Sequence, residues 1–316
     1  MIEPIFRNWT PEDSKKYGKD LVLIKHRLHE DPLFSDEAFE ELMDTYPREF
    51  IDVHTMGSDG HNTHAWREGS IGDLTGSQIM EAVRHGFIWV NLRRMHKVSE
   101  PYREILDQIY TEINGYVPDL NSYHHNFTAI ISSPKVQIYS HADIPGQSLW
   151  QIRGVKRAYL YPPRGKFLPQ DVIEKIILTK ADEQDIPYEP DFDKEAIIHD
   201  MQPGEMAHWE LHSPHRIENH DCVNVSLTTE HFSTDIRNVY AMHAANGLLR
   251  QLTGKKTLST ATHGPAFLAK LGLAGIYKKS GIQKARKYKR KIDFKVDPVS
   301  ATGFTDIVPY ERSLHA

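Results

Sequence analysis

Between Asn126 and Glu230 the pattern of this 316-residue chain turns to strand type, and no other stretch restricts its fold as much. Apolar and β-branched runs recur at Phe127 to Ser132, Val136 to His141, Leu149 to Tyr161, Glu205 to Glu210 and Cys222 to Thr229. Turn residues, including Pro162-Pro163, separate them. Helical patterns lie on both sides. So many strands in one block predict a mainly β fold with flanking helices, a sandwich or barrel rather than a parallel α/β sheet. There is no Gly-x-Gly-x-x-Gly and no Walker loop to support a nucleotide fold.

Before that block the chain reads as strand, helix, loop, helix, strand, helix. Leu21 to Leu28 forms the first strand, and Ser35 caps a helix carrying Phe39, Leu42 and Met43 that Pro47 stops. Residues 51–75 are polar and glycine-rich and read as loop; His61 and His64 within them are solvated side chains bordering a cleft rather than metal ligands. Ser77 opens the next helix, which Gly86 closes, and Phe87 to Leu92 follows as a strand. From Pro101, the residues Tyr102, Ile105, Leu106, Ile109, Tyr110 and Ile113 make one apolar stripe, for the core or for a homodimer seam. Residues 164–200 read as an insertion with a short helix around Asp171 to Leu178.

The single Cys222 rules out an intramolecular disulfide and fits a reducing compartment. With no leader-like start and no apolar run of membrane-spanning length, the chain reads as cytoplasmic. Its net charge of −5 divides unevenly: residues 243–316 hold 14 Lys+Arg against 4 Asp+Glu, a net +10, leaving −15 for residues 1–242. The body, 1–242, is therefore read as one domain, and 243–316 as a basic helical extension. One Tyr288 among the cations of 284–291 is too few aromatics for nucleic-acid binding. A solvated basic helix, or a clamp on the acidic body, is the simpler reading.

Chemistry concentrates in two segments. His141 and Asp143, two apart, project from one face of an extended chain. A metal there needs a third ligand from a neighbouring strand, and His208, His212 and His215 compete for it. His215 follows Ser213-Pro214, which fixes the backbone, and is the choice; His212 is the main rival. One imidazole–x–carboxylate pair plus a distal imidazole is the donor set of a non-heme Fe(II) oxygenase. Reading Leu149 to Tyr161 as one continuous strand sets Lys156 as the only cation on the apolar face with Trp150, Ile152, Ala158 and Leu160, where it needs an anionic partner. The distal carboxylate of 2-oxoglutarate would supply one. Arg157 falls on the exposed face.

These residues resemble the JmjC-like, cupin-type Fe(II)/2-oxoglutarate oxygenases, and among them the asparaginyl hydroxylase that inhibits hypoxia-inducible factor. The likeness rests on His141-x-Asp143, the Gln-Ile-x-Gly-x-Lys-Arg run at Gln151 to Arg157 ending in Pro162-Pro163, and a distal His215 eleven residues past the Gly204 of a Pro-Gly-acid turn. It covers about residues 120–232. It implies a double-stranded β-helix (jelly-roll) core, Fe(II) held by His141, Asp143 and His215, and 2-oxoglutarate as co-substrate on Lys156. Thr228, Tyr139 and Gln147 are the further co-substrate contacts it suggests. The activity implied is hydroxylation of a peptide side chain or a small molecule, with release of succinate and CO2. Departures are Ile138 where a threonine is common, which shifts the second carboxylate contact to Tyr139 or Tyr123, and Glu210 for a proline. Two other readings stand beside it: a cupin-like metal-binding regulatory module acting through its basic tail, and a cupin enzyme without co-substrate, which would leave Lys156 facing a protein acid.

Overall fold

The computed structural model describes residues 3–56, 62, 65–281 and 289–313. His61, His64 and most of the basic run 284–291 lie outside them. Among the described residues the α-helices are α1 (Pro11–Lys16), α2 (Asp36–Thr45), α3 (Gly76–His85), α4 (Met95–Val98), α5 (Glu100–Tyr116), α6 (Gln170–Ile177), α7 (Thr234–Thr253) and α8 (Pro265–Lys279). The early strands are β1 (Val22–Lys25), β2 (Ile51–Thr55), β3 (Arg67–Ser70) and β4 (Trp89–Leu92). Eight follow in the block: β5 (Tyr123–Ser132), β6 (Gln137–His141), β7 (Gly146–Arg153), β8 (Lys156–Leu160), β9 (Ile197–Met201), β10 (Glu205–His208), β11 (His215–Asn219) and β12 (Asn224–Phe232). Strands β13 (Lys289–Val296) and β14 (Phe304–Ser313) close the chain.

Those eight strands pair as β10-β7-β12-β5 in a large sheet and β6-β11-β8-β9 in a small one. Consecutive strands alternate between two four-stranded layers except at β8 and β9, which pair within the small one, and neighbours in each layer are antiparallel, which is the jelly-roll, or double-stranded β-helix, topology. The large sheet extends beyond this unit to ten strands, through β1 at one edge and β4-β2-β3-β13-β14 at the other.

Leu149 to Tyr161 is two strands, not one. Gly154, at φ +75°, breaks it, and a Cβ there would sit 2.3 Å from the Val223 carbonyl oxygen. The break carries the chain from the large sheet to the small one and reverses its parity. In β7 the even positions Trp150 and Ile152 join the core outside the large sheet, and Leu149 faces the space between the sheets. In β8 it is the even positions, Ala158 and Leu160, that face inward.

Other differences have similarly local causes. Residues 51–75 contain β2 and β3, because Asp52 and His54 are buried by ion pairing with Arg93 and Arg290 and by stacking against Trp66 and Trp89. Strand β9 takes in residues 197–200, assigned to the insertion, and Met201 beyond them. Thr75, not Ser77, caps α3, in a capping box with Gln78. The α5 stripe is spent within the chain: Tyr102, Leu106, Ile109, Tyr110 and Ile113 are buried against the outer face of the large sheet, worth about 1.5–3 kcal/mol for each fully buried side chain. Among its described residues the C-terminal segment is helical as far as Lys279. Its end is a hairpin whose β13 runs parallel to β3 in the large sheet. Among the described residues no helix is long and apolar enough to cross a membrane.

Candidate metal and co-substrate site

His141 ends β6 and His215 begins β11, and the antiparallel register sets them opposite each other, with ring centroids 4.3 Å apart. Asp143 lies just past the end of β6, its Oδ2 3.5 Å from His215 Nε2. One ligand atom from each of the three falls within 4.8 Å of the others. Both rings are oriented from behind. His141 Nδ1–H donates to the Tyr139 carbonyl (2.9 Å) and His215 Nδ1–H to the Ser213 carbonyl (3.0 Å). That fixes the tautomer in which Nε2 keeps its lone pair for the space between them. Burial, then proximity to His141, pushes His215 well below the ordinary histidine range, so its ring is neutral.

Asp143 Oδ2 is buried and has no hydrogen-bond partner. Burial raises this carboxyl, and His141 offsets the rise in part. An unpaired buried carboxylate between two converging imidazoles is costly alone and is relieved by a cation. The donor set, two imidazoles and one carboxylate, suits Fe(II) with open positions.

The site opens on a cavity of about 170 Å³ between the two sheets. Lys156 lines it from β8, Gln147 and Leu149 from β7, Thr228 from β12, and Ile138 and Tyr139 from β6. Lys156 is 1% exposed, and burial pushes its ammonium down to about 7. No carboxylate among the described residues pairs with it. In the β8–β11 register Leu160 faces His215 and Lys156 faces Asn219, so the lysine backbone lies four residues from the imidazole, about 13 Å along the strand. Asn219 Nδ2–H donates to Ser132 Oγ and to the Ser133 carbonyl, both at 2.8 Å, and so ties the small sheet to the large one at that closed end.

The competing histidines separate cleanly. His208 points out of the opposite face of the large sheet and stacks on Tyr17 at 3.7 Å. His212, at φ +64°, donates from Nε2 to the Ile144 carbonyl at 3.2 Å and faces His243. Tyr123 is directed to the Ser233 carbonyl (3.3 Å) and does not line the cavity. Arg157 is half-exposed and paired with Asp200 at 2.7 Å.

Several cavity residues were not singled out from the sequence: His54, Trp66, Trp89, Asn91, Glu183 and Trp209. The Trp209 ring lies 4.7 Å from that of His215. His54 is buried between Trp66 and Trp89, and burial pushes it down to about 3. A signal existed for one pair: alternation in β4 sets Trp89 and Asn91 on the same face. A wider vestibule of about 430 Å³ shares Trp66, Tyr139 and Glu183 with the cavity and is bounded by Ile144, Ile177, Tyr240 and Arg290.

No family model matches the chain, and no curated protein matches it. Solved structures similar to it include E. coli ycfD, at 15% identity and TM-score 0.49 over 87% of this chain and 69% of that one. Another is YcfD described as a ribosomal oxygenase from Escherichia coli in complex with cobalt and 2-oxoglutarate, at 16% identity and TM-score 0.49 over 89% and 69%. The DMSP lyase DddQ from Ruegeria pomeroyi DSS-3 overlaps at 8% identity and TM-score 0.22 over 35% and 40%. Overlaps this distant leave the chemistry to be argued from the chain's own residues, and they give no specific support to the likeness with the asparaginyl hydroxylase.

Proposed function

We propose that this chain is an Fe(II)- and 2-oxoglutarate-dependent oxygenase that hydroxylates a protein side chain or a small molecule. The observation that carries this reading is one cavity holding two unmet charges: the orphaned Asp143 carboxylate between two imidazoles, and the buried Lys156 without an acidic partner. A cation at the first and a dicarboxylate reaching the second satisfy both. A cupin enzyme without co-substrate would need a protein acid on Lys156, and the described residues supply none.

His141, Asp143 and His215 would hold the iron, which when bound supplies the activation of O2. Lys156 binds the distal carboxylate and sets the depth at which the co-substrate sits. Thr228 adds a hydroxyl, and Leu149, Ile138 and Ile217 exclude water around the methylene chain. Tyr139 and Gln147 flank the end nearest the metal ligands, where they orient what enters from the vestibule. The Tyr139 and Ser213 carbonyls hold the Nδ1 protons, so neither imidazole turns during turnover. Overall, 2-oxoglutarate and O2 yield succinate and CO2, with one oxygen atom in succinate and the other in the substrate's new hydroxyl.

The test is succinate formation with pools of peptides, sugars and lipids as substrate. Formation that needs both Fe(II) and O2, and is lost in His215→Ala, is the expected outcome. A wild-type protein that binds metal yet forms no succinate with any pool would remove the proposal.

A further inference from the structure

Resting on the oxygenase reading, we infer that Asn91 is a further donor to the distal carboxylate of the co-substrate, beside Lys156 and the Thr228 hydroxyl. A carboxylate held by one lysine and one hydroxyl still has acceptor sites unmet in a closed cavity, so a further neutral donor is expected there. Ile138 carries no hydroxyl. Tyr123 is turned to the Ser233 carbonyl and is absent from the cavity wall. Tyr139 stands at the vestibule, its ring 6.2 Å from that of Trp66 and 5.4 Å from that of His141, on the metal side of the cavity.

Asn91 meets the requirement. It lines the same cavity as Lys156 and Thr228. The β4–β5 register sets it opposite Ile130, which also faces that cavity. Its Oδ1 is buried without a partner. An amide edge buried in that state costs stability unless a ligand completes it. Turning the amide by 180° exchanges Oδ1 and Nδ2 and brings the NH2 to that buried, unpaired position, where an incoming anion accepts from it. A protein paying that cost within the wall of a cavity whose lysine has no acidic partner among the described residues is best explained by a shared anionic ligand.

The experiment is calorimetric titration of the full chain loaded with Mn(II), with 2-oxoglutarate and with 2-oxopentanoate, the same five-carbon 2-oxo acid lacking the distal carboxylate. Asn91→Ala is expected to weaken 2-oxoglutarate by about tenfold to a hundredfold, the range for one hydrogen bond to a charged group, and to leave 2-oxopentanoate unchanged. Asn91→Asp keeps the shape and reverses the electrostatics; it is expected to lose more, again only for the diacid, and it serves where the alanine variant does not fold. Wild-type affinity for 2-oxoglutarate retained in both variants, or equal losses for both acids, would overturn the role of Asn91 while the oxygenase reading stands. Wild-type protein that fails to distinguish the two acids would instead remove the reading beneath it.

Discussion

Two groups of histidines lie on opposite faces of the same sheet-built core, and their contrast shows what makes a site. Inside, His141 and His215 converge on Asp143 at the edge of a cavity, with their Nδ1 protons tied to backbone carbonyls. Outside, His208 and His125 stack at 3.7 Å on Tyr17 and Tyr110, and His231 lies 5.8 Å from His208. Burial depresses members of both groups, His215 and His208 well below the ordinary range and His231 to about 4. Depression by burial therefore does not mark function here. What separates the groups is a carboxylate without a partner and an open volume beside it, against rings whose faces are filled by tyrosine.

The largest expected difference is between Asp143→Ala and His208→Ala. The first abolishes metal-dependent 2-oxoglutarate binding and leaves the fold in place. The second keeps the binding but lowers stability by about 2–4 kcal/mol, read by urea denaturation, because a packed ring is replaced by a void. Equal effects on binding would erase the distinction between the two faces.

Lys156→Met sharpens the same contrast by removing the other unmet charge. The unfolded chain holds the lysine proton to about pH 10.4 and the folded chain releases it near 7, so the unfolded state binds more protons between these values. Wild-type stability in the absence of ligand should accordingly rise with pH across that window, by roughly 4–5 kcal/mol at most. The methionine variant should lose the rise, be the more stable protein at neutral pH, and no longer bind 2-oxoglutarate. A flat wild-type profile would mean that the lysine is not buried as a lone cation.

The pH dependence of binding is a smaller effect of the same group. Only the protonated lysine pairs with a carboxylate, so 2-oxoglutarate affinity should fall above about pH 7, by up to tenfold per unit, with proton uptake seen as a buffer-dependent heat. Smallest is Gly154→Ala, which forces a side chain to φ +75° against the Val223 carbonyl. A loss of about 1–3 kcal/mol is expected, with weakened binding, because this residue turns β8 so that Lys156 faces inward.

The sequence made the inner face legible through short spacings: the His141–Asp143 pair, Lys156 thirteen residues on, and His215 after the Gly204 turn. It placed Lys156 inward on the assumption of one continuous strand. The structure reaches that orientation by the reversal at Gly154, which a period-two count cannot see. Strand β2 was read as loop because Asp52 and His54 look polar in sequence, and only pairing with distant Arg93 and Arg290 allows them inside. His54 and Asn91 belong to strands contributed before the jelly roll begins. Their approach to the cavity depends on sheet order, which local pattern does not encode.

The central claim is most directly tested by adding 2-oxoglutarate to the Fe(II)-loaded protein without oxygen and recording its visible spectrum. A charge-transfer band should appear in the wild type and in His208→Ala, and be absent in Asp143→Ala and Lys156→Met. A colourless wild type, or a band that survives Asp143→Ala, would contradict the assignment of this cavity.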